Sequence, residues 1–101
     1  MNKIALEEHF SGPGFEKYLA GVGDLFDPGV LAAIEKRLPD FEQERLAMMD
    51  AAGISVAVLS QTAPGVQTEP DAATAIDMAR RSNDFLAARI AENPNRFRGF
   101  A

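Results

Sequence analysis

The sequence predicts an α/β fold of parallel strands covered by helices, and three observations carry that expectation. Two short apolar runs, Ile4-Ala5-Leu6 and the stretch "ISVAVLS" from Ile54 to Ser60, read as strands. Between and after them lie stretches whose apolar residues recur every three or four positions, as on one face of a helix. A closing run, "RFRGFA", begins like one more strand directly after the longest of those helices. Hydrophobic strands that alternate with amphipathic helices pair in parallel through right-handed crossovers.

Each element has its own signal. Residues 3 to 7 form the first short strand. The segment after it, "SGPGFEKYLAGVGDLF", is punctuated by Gly12, Pro13, Gly14, Gly21 and Gly23 and is expected as a long loop. In "DPGVLAAIEKRL", Asp27 can cap, Pro28 suits the first helical position, Val30, Leu31, Ile34 and Leu38 share a face, and Pro39 stops the helix. A second helix opens at "DFEQERLAMMDAAG", where Asp40 and Gln43 have capping-box spacing, Leu46 and Met49 mark the apolar side, and Gly53 supplies the stop. "ISVAVLS" is β-branched and almost wholly apolar, as a strand covered on both faces would be. After a further loop, "QTAPGVQTEP", the longest helix runs from about Asp71 to Glu92 with Ile76, Ala79, Leu86 and Ile90 in step, and it stops at "NPNR".

Composition sets the class. With 47% hydrophobic and 25% charged residues, the 101-residue chain reads as a single soluble globular domain over residues 1–101. A net charge of −5 with scattered basic residues excludes nucleic acid and anionic membranes as partners, since both require clustered Lys and Arg. No apolar segment is long enough to span a bilayer and no signal-peptide pattern opens the chain, so a cytoplasmic location is expected. The absence of cysteine removes disulfides, thiolate nucleophiles and thiolate metal sites. Any metal must therefore be held by oxygen and imidazole nitrogen.

In parallel α/β sheets ligands gather beyond the carboxyl ends of the strands. "EEHF" and "SQTAPGVQ" then fall on one face of the molecule. Strand alternation points Glu7 and His9 one way and Glu8 the other. A carboxylate and an imidazole two residues apart can converge on one divalent cation, with zinc, manganese or iron accepting that mixture. The plainer reading is that Glu7 and Glu8 solvate the strand end and His9 hydrogen-bonds a neighbouring backbone group. A catalytic zinc site uses at least three protein ligands, and this chain has one histidine. Asp24, Asp27, Asp50 and Asp71 are better explained as caps, loop residues or helix surface, so a complete metal site within the chain is not expected. Asn83 falls on the apolar stripe of the last helix, as a buried amide satisfied by carbonyls. Ser60 shows no histidine partner in sequence that would activate it. "GPG" and "GVG" lack the context of a phosphate loop, Arg80-Arg81 reads as a solvated helix face, and Met48 and Met49 read as core.

Four segments, "KIALEEHF", "RLAMMDAAGI", "VLSQTAPGVQ" and "ARRSNDFLAARIAENPNRFRGFA", resemble in order and spacing the N-terminal part of the amidohydrolase-related decarboxylases of hydroxybenzoates, such as the γ-resorcylate and 2,3-dihydroxybenzoate decarboxylases. The resemblance covers essentially the whole chain. It implies an eight-stranded β/α barrel with a divalent metal, zinc or manganese, at the carboxyl ends of the strands. By the same resemblance Glu7 and His9 stand where the first-strand metal ligands stand, although some relatives carry Ala at the histidine position and keep the glutamate. The remaining ligands, a histidine in a middle strand and an aspartate near the last, belong to sequence absent here. In such enzymes the metal takes the substrate carboxylate and the adjacent phenolic oxygen, and the aspartate protonates the ring carbon before carbon dioxide leaves. The catalytic group therefore lies outside this chain.

Gln61, Thr62 and Ala63 are candidates to line the pocket, and are equally well explained as turn residues ahead of Pro64. The partners implied are a small aromatic carboxylic acid and like subunits in a homo-oligomer. A barrel of this kind needs about 250 residues. The chain is accordingly expected to be the N-terminal part of one, with roughly three strands, and to be inactive alone. Two other readings stay open: part of a related metal-dependent hydrolase or hydratase, or a small non-catalytic α/β module that self-associates through an open sheet edge.

Overall fold

The computed structural model describes residues 2–101, in the order β1 (Lys3–Phe10), α1 (Glu16–Ala20), α2 (Pro28–Arg37), α3 (Glu44–Ala52), β2 (Ile54–Gln61), α4 (Ala72–Glu92) and β3 (Phe97–Gly99). The three strands form one sheet in the order β1-β2-β3, and both pairings are parallel. Each crossover carries helix, as the alternating pattern requires. Three parallel strands with their helices are the arrangement expected for the start of a β/α barrel.

One face of the sheet makes the core. Ala57 and Leu59 of β2 are buried with Phe10, Phe97, Met49 of α3 and Leu86 of α4. Phe41, in the link before α3, lies edge-on to Phe10, Phe85 and Phe97, with ring centroids 5.8, 5.7 and 5.3 Å away. Each such pair adds about 0.5–1.5 kcal/mol beyond the area it buries. The other face is barely covered: Val56 and Val58 are half-buried, and Ile4 and Leu6 of β1 are 65% and 69% exposed. The expectation of a strand covered on both faces thus fails for β2. Among the described residues nothing packs over that second face, which in a closed barrel would be the interior.

The helix signals hold at their ends. The Asp27 carboxylate accepts from the backbone N–H of Gly29 at 2.8 Å and of Val30 at 3.4 Å, and that of Asp71 accepts from Thr74 N–H at 2.8 Å. Gly53 stops α3 in the left-handed region at φ +70°. Asp40 does more than its spacing predicts. Its carboxylate accepts from the backbone N–H groups of Glu42 and Gln43 in the link, at 3.3 and 3.1 Å, and of Glu44 and Arg45 in the first turn of α3, at 2.8 and 2.9 Å, so the helix starts at Glu44, three residues later than the capping-box spacing predicts, and without a reciprocal bond from Gln43.

Three expectations are corrected. The glycine-rich segment is not all loop, because burial of Phe15 and Leu19 drives one turn and a half of helix, α1. On α4 the expected stripe holds at Leu86, which is buried, and at Ile90, which packs on the core, but Ile76 is 53% exposed and Met78 and Ser82 take the inward places in the first half of the helix. Asn83 is exposed rather than buried, next to the inward Ser82. Arg81 lies on the solvated face as expected, paired with Asp77 at 2.7 Å. No helix among the described residues is long and apolar enough to cross a membrane.

Burial would push the Asp40 carboxyl up, but its four backbone donors outweigh that and hold it below the usual range. A depressed folded-state pKa contributes stability that is present above the unfolded value, near 3.9, and is lost as pH falls through the folded one. Asp40→Ala should therefore cost about 1–2 kcal/mol in urea unfolding at pH 7, in the range of a lost helix cap. The gap between variant and parent should narrow as the pH is lowered below about 4.

Candidate functional site

The carboxyl end of β1 is not a flat strand. Ala5 pairs with Ala57 and Glu8 with Leu59, so three steps along β1 match two along β2. The extra residue is taken up by a bulge in which Glu7 adopts φ +58°. For a residue with a Cβ this conformation costs roughly 1–2 kcal/mol. Paired residues of parallel strands share a face, so Glu8 falls with Leu59 on the helix side and His9 falls with Ser60 on the other. Simple alternation would have put Ala5, Glu7 and His9 on one face. The bulge breaks it: Ala5 and His9 lie on opposite faces, and Glu7 is directed by its left-handed backbone instead of by the pleat.

His9 does have a partner. Its Nδ1 and the Ser60 hydroxyl stand 3.3 Å apart, either atom donating according to the ring tautomer. Ser60, which shows no histidine neighbour in sequence, acquires one because the parallel register sets positions 9 and 60 side by side. With Nδ1 turned to Ser60, His9 Nε2 has no hydrogen-bond partner among the described residues, and neither does the Glu7 carboxylate. An exposed carboxylate and an imidazole nitrogen at a strand end fit a divalent metal as two of its ligands. Among the described residues no three His, Asp or Glu side chains are grouped to hold one.

Arg45 fastens this end of the sheet. Its guanidinium donates to the carbonyls of His9 and Asp40, both at 2.8 Å, and of Leu38 and Arg37 at 3.3 and 3.4 Å. Burial pushes its pKa down, opposed by the charges of Glu8 and Asp40. Glu8 thus belongs to the supporting structure on the helix side. Beside it, an apolar cleft of about 660 Å³ runs between β1, α2 and α3, with Arg45, Met48 and Ile34 in its wall.

A second cleft, of about 410 Å³, lies at the ends of all three strands, and His9, Ser60, Thr62, Ala63, Asn83 and Phe100 border it. Thr62 is tied down by its N–H, which donates to the Phe10 carbonyl at 2.8 Å, and Ala63 is exposed. Gln61 also borders this cleft but is placed differently. It pairs with the core residue Phe10, and its Oε1 accepts from Gly12 N–H at 2.9 Å and from the Ser82 hydroxyl at 2.8 Å. Gln61 therefore lines the cleft with Thr62 and Ala63, but its side-chain oxygen is taken up by the protein.

A second tie across the same end was not legible in sequence. Tyr18 of α1 donates its hydroxyl to Glu69 Oε2 at 2.5 Å, and Lys17 Nζ reaches the same oxygen at 3.1 Å. The Tyr18 hydroxyl, the Asp71 backbone N–H and the Lys17 ammonium hold the Glu69 carboxyl below its usual range. These partners are about fifty residues apart, so no local pattern announces them.

No family model matches the chain. It is 47% identical over 100 residues to a γ-resorcylate decarboxylase of Rhodococcus jostii (strain RHA1), a match that takes in 98% of this chain and 29% of that protein. Among solved structures it superposes on a 2,6-dihydroxybenzoate decarboxylase complexed with 2,6-dihydroxybenzoate with a TM-score of 0.90 at 42% identity, covering 100% of this chain and 30% of the other. A dihydroxybenzoic acid decarboxylase of Polaromonas sp. JS666, with bound manganese and the inhibitor 2-nitroresorcinol, gives a TM-score of 0.88 at 42% identity over the same shares. The chain is homologous to the N-terminal portion of these aromatic hydroxy-acid decarboxylases and spans about 30% of their length. Its three parallel strands and helices match the N-terminal part of their amidohydrolase-type barrel.

Replacing Arg45 by Met should leave the His9 and Asp40 carbonyls without their strongest donor and cost about 2–3 kcal/mol in chemical denaturation, the range for lost bonds to a charged group. Arg45→Lys should recover less than half of the loss, because one ammonium cannot fork to carbonyls on three segments.

Proposed function

We propose that this chain supplies the first strands of a metal-dependent, non-oxidative decarboxylase of hydroxylated aromatic acids. What carries the reading is the 47% identity to a γ-resorcylate decarboxylase over 98% of the chain, together with Glu7 and His9 at the end of its first strand. The ligand chemistry of those two side chains suits manganese or zinc, and a Polaromonas relative binds manganese. Such a metal, when bound, supplies Lewis-acid polarisation of substrate oxygens.

The work of this chain's own residues is to hold and shape. Glu7 and His9 offer one oxygen and one nitrogen donor. Ser60 sets the imidazole orientation through Nδ1, the part that an outer partner plays for a ligating histidine. Arg45 fixes the peptide carbonyl of His9. Thr62 and Ala63 form part of the wall on which an aromatic acid would rest. The group that protonates the ring carbon and the other metal ligands come from later strands, so the 101 residues alone carry no turnover. Exposed Ile4 and Leu6 and the free edge of β1 are covered by those later strands, and like subunits pack against the assembled barrel from outside.

The test is a chimera in which this chain replaces the matching N-terminal 100 residues of the Rhodococcus jostii relative. It should release carbon dioxide from 2,6-dihydroxybenzoate, lose that activity to a chelator and regain it with manganese. Glu7→Gln and His9→Ala should each lower kcat/KM by about 100-fold or more. A folded, metal-loaded chimera that leaves hydroxybenzoates untouched, or activity indifferent to Glu7, would sink the proposal.

A further inference from the structure

Gln61 stands at the end of β2, next to the residues proposed to meet the substrate, yet its side chain is engaged elsewhere. Its Oε1 accepts two hydrogen bonds, from Gly12 N–H at 2.9 Å and from the Ser82 hydroxyl at 2.8 Å. A backbone N–H can only donate, so Gly12 dictates which end of the amide faces it. The Nε2 end is left with one long contact, 3.5 Å to the Thr62 carbonyl. Ser82 is 3% exposed, and a hydroxyl buried so far in a helix needs an acceptor.

The three residues are fitted to one another. A Cβ on Gly12 would stand 2.8 Å from Ser82 Oγ and 3.2 Å from Gln61 Oε1, so only glycine brings its N–H this close. The contact joins three elements: the loop after β1, the end of β2 and the middle of α4. From Gly12 the chain turns at once, its carbonyl accepting from Phe15 N–H at 3.3 Å, and Phe15 borders the cleft with His9 and Ser60. Ser11 N–H is meanwhile tied to the Leu38 carbonyl at 3.1 Å.

We infer that Gln61 and Ser82 are positioning residues: their side chains clamp the Gly12 backbone and thereby fix the first loop, with Phe15, over the cleft at the strand ends. Gln61 acts through its carbonyl oxygen on the protein, and it is not a substrate contact. The consequence for function rests on the decarboxylase reading, whereas the clamp itself does not.

Two readouts separate these. In the 101-residue chain, amide exchange at Gly12 should be slowed at least about 100-fold relative to an open amide. Gln61→Leu, which keeps the bulk and removes the acceptor, should bring Gly12 to within about tenfold of the open rate and move the Phe15 ring resonances, while Ala57 and Leu59 stay protected. Gln61→Glu keeps an acceptor and should restore both. Ser82→Ala should raise Gly12 exchange by a smaller factor, and it carries the comparison with Gln61→Glu should Gln61→Leu fail to fold. In the chimera, Gln61→Glu should keep kcat/KM for 2,6-dihydroxybenzoate and Gln61→Leu should lower it. Gly12 exchange unmoved by Gln61→Leu or by Ser82→Ala, or a Gln61 side-chain amide signal shifted directly by added 2,6-dihydroxybenzoate, would overturn the inference. A chimera without activity would defeat the decarboxylase reading alone and leave the exchange comparison standing.

Discussion

Everything at the carboxyl end of this sheet depends on how Arg45 is held. Its planar guanidinium reaches four carbonyls, on Arg37 and Leu38 at the end of α2, on Asp40 in the link, and on His9 of β1. A fork of five donors suits such a task. The same residue lies over the Phe41 ring at 5.2 Å, and Phe41 is the centre of the aromatic cluster that seats β1, β3 and α4 together. Asp40 complements it, spending its carboxylate on the opening turn of α3 and its carbonyl on Arg45. The link between α2 and α3 is short, and these two side chains make it rigid.

That rigidity is what permits strain nearby. Glu7 occupies a backbone region that costs a residue with a Cβ roughly 1–2 kcal/mol, and such conformations persist where their surroundings over-determine them. On one side of the bulge Ala5 is locked in register with Ala57, and on the other Glu8, His9 and Phe10 are locked to Leu59, Ser60 and Gln61. Phe10 is buried and His9 is held through its carbonyl. The bulge changes which face each side chain serves: Glu8 goes to the helix layer beside Arg45, and His9 emerges beside Ser60. Of the two neighbouring acids, which border one cleft, Glu8 is half-buried beside Arg45 and Glu7 is exposed.

Homology to aromatic hydroxy-acid decarboxylases gives this arrangement a context. The chain spans about 30% of those proteins, so a barrel's worth of contacts is represented here by three strands and the helices on one side of them. The helix side carries the core, with a cleft left open between β1, α2 and α3, whereas the opposite face and the β1 edge display Ile4 and Leu6. Half of a β/α barrel's logic, sheet against helix, is therefore represented within the chain, while the other half, strand against strand across the interior, requires more of the sheet.

Local chemistry is what the sequence determined by itself. Asp27, Asp71 and Gly53 mark helix ends because capping and left-handed stops act over four or five residues, and the alternation of apolar runs implied parallel pairing before any contact was known. The order of four segments was enough to indicate the relatives. Tertiary structure alone decided the rest. The bulge that overturns strict alternation depends on β1 and β2 being matched three steps to two. The partnership of Ser60 with His9, the capture of Gln61 by Gly12 and Ser82, and the Tyr18–Glu69 tie each join residues 21 to 51 positions apart. Burial of Phe15 and Leu19 made a helix where glycines announced a loop, and the face that α4 turns inward put Ser82 inside and Asn83 outside. Such choices follow from which surfaces are pressed together, and the periodicity of a single segment carries no information about the surface it will meet.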